Sequence, residues 1–96
     1  MQYIICSAIW FNDSIKYDHQ PFNIEIGFVI CGHRHHNCFM TAYILNKDTK
    51  LQTVNNTQGF LTNDNLFVTR EEAAIIAYNA KQISESTNKL FSEDLY

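Results

Sequence analysis

Residues 24–31 constrain the fold more than any other segment of this chain. Apolar side chains occupy every second position of the segment, at Ile24, Ile26, Phe28 and Ile30. This alternation is typical of a strand with one buried face. Gly27 lies inside the segment, and a glycine within a strand indicates a bulge or a closely packed neighbour. We therefore predict a strand over residues 24–31.

Residues 31–38, where this strand ends, concentrate the reactive side chains of the chain. They hold three of the four histidines, two of the three cysteines and one of the two arginines. A strand that leads through Gly32 into a helix near Arg34 brings helix N–H groups and a guanidinium together, which favours anion binding. A solvated basic turn with one histidine packed in the core is an equally good interpretation. The candidate ligand-binding residues here are Arg34, His35 and His36.

The segments on either side predict further elements. An apolar run over residues 3–11 indicates a strand, and residues 15–17 are predicted to return as a short second strand. Residues 34–46 fit a helix or a strand, and we choose a helix because the run is too long for a typical strand. Residues 47–57 are polar and aperiodic, which predicts a loop. Residues 59–68 predict a short hairpin.

A second helix is predicted to begin after Thr69. Thr69 and Glu72 match the spacing of a capping box, which satisfies free N–H groups at a helix start. An apolar stripe follows at helical spacing, at Ala73, Ile76, Ala77, Ala80 and Ile83. Its small alanines allow close packing on a sheet or on a twin helix. Together the predicted strands and helices indicate an α+β fold.

The length and composition of the chain limit the classes of protein to which it can belong. A chain of 96 residues has the size of one domain, which we assign to residues 1–96. The net charge of −3 argues against nucleic acid as a partner. Hydrophobic residues make up 46% and charged residues only 18%, so part of the apolar surface is expected between copies of the chain. The chain has three cysteines, and neither a signal peptide nor a membrane-spanning apolar run is visible. We therefore predict a reduced, cytosolic protein with no membrane partner.

Two kinds of reactive site stay open for residues 31–38. Cys31 or Cys38 beside a histidine is the pairing of a small Cys/His hydrolase, although the commoner role of a cysteine is that of a small buried hydrophobe. The other alternative is a zinc-stabilised interaction module, in which the same side chains would be the zinc ligands. Structural zinc usually joins two short ligand pairs from separate parts of the chain, which this single cluster does not provide. We expect no catalytic residue, no metal and no cofactor.

A second candidate binding site lies in residues 58–70. The rings of Phe60 and Phe67 can stack on a nucleobase, and Asn65 can read a base edge or a ribose. Arg70 can hold a phosphate. The alternative is a hairpin whose phenylalanines belong to the core, with Arg70 as merely the first helical residue.

The acidic tail provides a partner for this second site. Arg70 would lie at a helix start, where the helix dipole disfavours a cation. We therefore expect Arg70 to have an anionic partner, which is either a ligand or the carboxylates of Glu93 and Asp94. Asp94 is also a candidate to accept from a ribose hydroxyl, and its alternative role is that of a solvated terminal residue.

Several segments together resemble a known family. They are residues 4–11, 19–21, 23–24, 27–32, 34–39, 58–60, 67–68, 70–73 and 92–96. In these segments the chain is similar to the first-described Thoeris anti-defence proteins of bacteriophages. The resemblance covers nearly the whole chain except residues 47–57. The Arg-His-His-Asn-Cys run of residues 34–38 and the acidic tail are its most specific parts.

The resemblance implies a phage protein that acts as a sponge in the host cytoplasm. Such a protein binds the cyclic ADP-ribose isomer made by the Thoeris sensor of the host, does not cleave it, and so withholds the signal from the effector. The resemblance also implies a small antiparallel β-sheet followed by two α-helices, and assembly of the chain with itself as dimers or hexamers. Some members bind cyclic di- and trinucleotides at separate sites.

The resemblance suggests roles for the candidate residues by chemical type. Phe60, Asn65 and Arg70 resemble an adenine-stacking ring, a polar reader and a phosphate clamp. Arg34 with its neighbouring histidines resembles a second phosphate site. His33 departs from the pattern, because the family commonly has a second basic residue at this place.

Overall fold

The computed structural model of the chain describes residues 1–45 and 55–96. Within these residues the strands are β1 (Ile4–Asn12), β2 (Phe28–Gly32), β3 (Asn55–Thr62) and β4 (Phe67–Thr69), and the helices are α1 (His35–Leu45), α2 (Arg70–Asn79) and α3 (Ser92–Leu95). The strands form one antiparallel sheet in the order β2-β1-β3-β4. The α+β class is confirmed, with the difference that α1 lies between β2 and β3 in the chain.

The two longer helices pack on one face of the sheet, which we call the helical face. Under α1 the buried residues are Ile9, Phe11, Ile30, Cys38 and Ala42. Under α2 they are Ile4, Phe60, Val68, Ala73, Ala74, Ala77 and Leu90. Burial of an apolar side chain of the size of leucine or phenylalanine contributes about 1.5–3 kcal/mol, so this layer is the main source of stability. The outward side of α1 stays apolar and exposed at Met40, Tyr43 and Ile44.

The opposite face is crossed by residues 13–27, which we call the strap. Its Gln20 side chain accepts a hydrogen bond from the Val29 N–H of β2 at 2.9 Å. Its Asn23 side chain accepts from the Phe67 N–H of β4 at 2.9 Å and donates to the Phe67 carbonyl at 2.6 Å. Since β2 and β4 are the two edge strands, the strap spans the sheet and satisfies backbone groups at both of its edges.

The strap also explains why the strand predicted over residues 24–31 is shorter than its alternation indicates. It begins only at Phe28, because Gly27 adopts a left-handed φ of +82° and passes close to β1. A Cβ at Gly27 would lie 2.3 Å from the Phe11 carbonyl oxygen, so the predicted close neighbour is confirmed. The short strand predicted over residues 15–17 is wrong, since Lys16 makes only an isolated bridge with Gly27.

The loop predicted over residues 47–57 is wrong at its end. Asn55, Asn56 and Thr57 pair with the last three residues of β1, so backbone pairing with a long neighbour outweighs their polar sequence. Residues 46–54, which include the rest of that prediction and the last residue of the predicted helix over 34–46, lie outside the described residues.

The second predicted helix begins as expected and ends early. Thr69 accepts from the Glu72 N–H at 3.2 Å and Glu72 accepts from the Thr69 N–H at 2.9 Å, which confirms the capping box. The helix stops at Asn79 because Lys81 adopts a left-handed φ of 61°. Across the described part of the chain, no helix has the length and apolar character needed to cross a membrane.

Candidate functional site

A pocket of about 300 Å³ lies where the N-terminal ends of α1 and α2 meet. Its lining residues are Arg34, His35, His36, Phe39, Gln58, Arg70, Phe91, Ser92 and Glu93. The sequence indicated two separate candidate sites, one around Arg34 and one around Arg70. The fold brings the basic residues of both sites into one pocket.

Arg70 is the first residue of α2, and its guanidinium forms one wall of the pocket. Its Nη1 donates to the Leu90 carbonyl at 2.8 Å and its Nη2 donates to the Gln58 Oε1 at 2.6 Å. Its Cζ lies 4.6 Å from the centre of the Phe91 ring, which is a cation–π contact. These contacts hold the guanidinium in one orientation before any ligand arrives.

The charge on Arg70 is balanced by the acidic tail. Partial burial lowers the pKa of Arg70, and the carboxylates of Glu93 and Asp94 act in the opposite direction and raise it. An arginine remains protonated through such shifts. Glu93 and Asp94 thus act on Arg70 through charge, while its direct hydrogen bonds go to uncharged oxygens. The anionic partner expected from its position at a helix start stays a prediction.

His35 is buried behind Arg70 and has a partner on each ring nitrogen. Its Nε2 lies 2.8 Å from the Gly59 carbonyl, which can only accept, so Nε2 carries the proton. Its Nδ1 therefore accepts from the Ser92 hydroxyl at 2.6 Å. Burial lowers the pKa of His35, which keeps the ring neutral at pH 7. The Phe60 ring packs edge-on against it, with centroids 5.1 Å apart.

Ser92 joins α3 to both α1 and the sheet. Its hydroxyl accepts from the His35 backbone N–H at 3.3 Å and lies 3.0 Å from the Ser7 hydroxyl. In turn Ser7 donates to the His33 carbonyl at 3.1 Å. Within the described residues every buried side-chain nitrogen or oxygen has a hydrogen-bond partner. The floor of the pocket is consequently a closed polar network.

The C-terminal residue holds Arg34 at the pocket rim. Arg34 Nη2 donates to the main-chain oxygen of Tyr96. The Tyr96 ring packs against the His33 ring in a tilted arrangement with centroids 4.1 Å apart, and its hydroxyl donates to the Ile5 carbonyl at 2.7 Å. His33 therefore supports the C-terminal residue in this structure.

The N-terminus of α1 binds its own chain. The Arg34 N–H donates to Asn37 Oδ1 at 2.9 Å, and the His35 N–H donates to Ser92. The anion site predicted from free helix N–H groups near Gly32 therefore loses two of its donors. Any anion in this pocket would instead meet the guanidinium N–H groups of Arg34 and Arg70.

The other predicted site residues lie outside this pocket. Phe60 is fully buried under α2, and Phe67 packs against Trp10 beneath the strap at 6.5 Å between centroids. Asn65 is exposed in the β3–β4 turn with a φ of 60°. Asp94 accepts from the Phe91 N–H at 2.9 Å and so begins α3. Their roles in ligand binding remain predictions, and their contacts here are structural.

Three of the pocket residues were not candidates in the sequence. Phe39 looked like one apolar position of α1, and Phe91 like an anchor for the tail. Ser92 belonged to a tail that could fold back on a basic group or a ribose hydroxyl, with a solvated terminus as the favoured alternative. Each enters the site because α3 folds back against α1, and a short terminal helix of four residues leaves no periodic pattern to read.

The thiol of Cys38 has backbone carbonyls as its hydrogen-bond partners in the described structure. Cys38 is buried under α1, and its sulfur donates to the Ser7 and Arg34 carbonyls at 3.7 and 3.6 Å. Burial raises the pKa of Cys38 to about 11, so it is protonated at pH 7. No three histidine, cysteine or carboxylate side chains among residues 1–45 and 55–96 come together as a metal site.

A larger and more open concavity of about 1130 Å³ lies at the C-terminal end of α2. It is lined by residues 78, 79 and 81–87 and by Asp94. Lys81 is the one cationic side chain among the described residues that line it, against two carboxylates. We favour the smaller pocket as the anion site, because two arginines, Arg34 and Arg70, line it.

Comparison with known proteins gives one match. A family model described as "Phage T4 y16D protein" matches residues 3–96. No curated protein and no solved structure matches the chain. Because the matching region spans nearly the whole sequence, the chain belongs to the phage T4 y16D protein family.

Proposed function

We propose that this phage protein binds a cyclic ADP-ribose isomer and sequesters it in the host cytoplasm, which blocks Thoeris immunity without cleavage of the signal. The observation that carries the proposal is the convergence of Arg34 and Arg70 on one pocket. Two guanidiniums match the two phosphates of such a molecule. A phage family and the resemblance to Thoeris anti-defence proteins support the same proposal.

The donors of the pocket are only partly used by the protein. A guanidinium has five N–H donors, and the strong hydrogen bonds of Arg70 to Leu90 and Gln58 use two of them. Arg34 uses one on Tyr96. The remaining donors suit phosphate oxygens, for which arginine provides a planar fork.

The rest of the pocket suits a nucleoside. Phe91 is 46% exposed, so the part of its ring that Arg70 does not cover is available to stack on a base. Glu93 lines the same pocket and is exposed, and its carboxylate can accept from ribose hydroxyls. His36 adds an exposed donor at the rim.

The size of the pocket supports a site shared between copies of the chain. A volume of about 300 Å³ lies at the lower end of the range for small-molecule sites. Sequestration requires nanomolar affinity, which corresponds to about 12 kcal/mol. We propose that a second copy completes the site in a dimer or a hexamer, and that cyclic di- or trinucleotides bind elsewhere on the assembly.

The hydrogen bonds of His35 favour binding of a ligand over its hydrolysis. One ring nitrogen of His35 already donates a hydrogen bond and the other already accepts one, so both have partners within the protein. The alternative function is a small nucleotide hydrolase, and the contact of 2.6 Å between Ser92 and His35 is the feature that favours it. However, Ser92 is 3% exposed, and its hydroxyl also accepts from the His35 N–H, so it is poorly placed to attack a ligand.

Calorimetric titration with cyclic ADP-ribose isomers and cyclic dinucleotides tests the proposal. We expect nanomolar binding to one cyclic ADP-ribose isomer. Arg34→Gln should weaken it about 10- to 100-fold, since a hydrogen bond to a charged group contributes about 1.5–3 kcal/mol. Arg70→Lys, which keeps the charge but loses the fork, should also weaken it.

Lys81→Gln is the matched control, because it removes an exposed cation outside the pocket. Circular dichroism of each variant checks the fold. Unchanged affinity in both arginine variants would move the binding site elsewhere, and no binding of any of these nucleotides would contradict the proposal.

A further inference from the structure

Cys6 and Cys31 lie side by side on the sheet face that carries no helix. The register of β1 and β2 pairs Ala8 with Cys31 and Ser7 with Gly32, so Cys6 is one diagonal step from Cys31. Both residues lie on the same face of the sheet, on neighbouring strands. An interaction between the two thiols shifts the pKa of each. Both thiols are free, with Cys31 exposed and Cys6 half-buried.

The two thiols differ in how readily they ionise. The hydrogen bond from the Cys31 thiol lowers the pKa of Cys6, with a further contribution from the Gly32 N–H, and burial opposes both. The same hydrogen bond, together with burial, raises the pKa of Cys31. Cys6 is therefore the more acidic thiol of the pair, and Cys31 holds its proton more tightly. A thiolate beside a second thiol is the arrangement of cysteines that sense oxidants.

We propose that Cys6 and Cys31 are a site of oxidative modification, at which a peroxide oxidises Cys6 and Cys31 then closes a disulfide between β1 and β2. The Cys6 thiolate attacks one oxygen of hydrogen peroxide, the O–O bond breaks, and Cys6 sulfenic acid and hydroxide form. The hydroxide takes the proton of Cys31 to give water. The Cys31 thiolate attacks the Cys6 sulfur and expels hydroxide. Two electrons pass from the two sulfurs to the peroxide.

Oxidation of Cys6 makes the following ionisation of Cys31 easier. While Cys6 is a thiolate, its negative charge and its hydrogen bond hold the proton on Cys31. Conversion of Cys6 to a neutral sulfenic acid removes that charge, so Cys31 ionises more easily. Cys38 takes no part, because it lies on the helical face and its sulfur contacts backbone carbonyls. The proposal does not depend on the ligand pocket.

Mass spectrometry of the whole chain tests this inference with hydrogen peroxide as the probe. After one equivalent of peroxide, the protein should lose two hydrogen atoms and gain no oxygen. Alkylation after unfolding should then label one cysteine, Cys38, and proteolysis should give a linked pair of peptides that contains Cys6 and Cys31.

Cys31→Ser provides the matched control. This variant should accumulate a sulfenic acid at Cys6 that dimedone traps, because the second thiol is missing. The inference is overturned if wild type gains oxygen without an intramolecular disulfide, if its disulfides join different molecules, or if Cys38 is the oxidised residue.

Discussion

His35→Gln is the substitution that most sharply tests the polar network beneath the pocket. The change removes a hydrogen bond to Gly59 at 2.8 Å, another from Ser92 at 2.6 Å, and the ring contact with Phe60. At about 1 kcal/mol for each hydrogen bond and about 0.5–1 kcal/mol for the ring pair, the free energy of unfolding at pH 7.5 should fall by about 2–3 kcal/mol. Urea denaturation followed by circular dichroism measures it.

The pH dependence of this difference identifies the cause. Burial lowers the pKa of His35 below its ordinary value of 6.5, so between the two values the unfolded chain binds the proton more readily. The wild-type free energy of unfolding therefore falls as the pH drops below 6.5, by at most about 1.4 kcal/mol per pH unit from this group. Glutamine does not titrate, so the gap between the two proteins should narrow from pH 7.5 to pH 5.5.

His36→Gln serves as the control, because this neighbouring histidine is exposed. Its curve should follow that of wild type over the same pH range. The other histidines are common to all three proteins and cancel in the comparison. A gap between wild type and His35→Gln that stays constant from pH 7.5 to pH 5.5 would refute a neutral, buried His35.

Three further substitutions test the supports of the fold, each by urea denaturation. Thr69→Ala should cost about 1 kcal/mol through loss of the α2 cap, and Thr69→Ser should restore it; equal stabilities would contradict the capping role. Gln82→Ala removes two hydrogen bonds of 2.8 Å to the backbone of Ile4 and should cost about 2 kcal/mol, with Gln82→Glu intermediate; no loss would mean that water replaces both bonds. Asn23→Ala should cost about 2 kcal/mol by freeing the strap from β4, and a neutral effect would show that the strap is held elsewhere.

Local signals in the sequence were sufficient to predict most of the elements. The long apolar run predicts β1, and the capping box at Thr69 predicts the start of α2 to the residue. The helix predicted from residue 34 is α1. These predictions succeed because caps and hydrophobic periodicity depend on neighbours in the chain. Where the alternation continued into residues 24–27, the left-handed conformation of Gly27 ended the strand. The glycine indicated a bulge or a close neighbour, but it did not indicate that the strand begins only after it.

The pocket depends on contacts between distant parts of the chain. Arg34 and Arg70 were both candidates from chemical type alone, but nothing in their spacing indicates that they share a space. Their meeting requires α3 to fold back, through Ser92 on His35 and Tyr96 on Arg34. Phe60 was a candidate ligand-binding residue because its ring could stack on a base. It lies in the core instead, as the strong preference of phenylalanine for burial favours.

The most direct test of the proposed function is the fate of the ligand. The protein is saturated with the cyclic ADP-ribose isomer that binds most tightly, freed of excess ligand, incubated, and denatured by heat, and the released molecule is identified by mass. Sequestration predicts release of the intact cyclic molecule, in active form toward the Thoeris effector. Release of a cleaved or hydrated product would contradict it and favour the hydrolase.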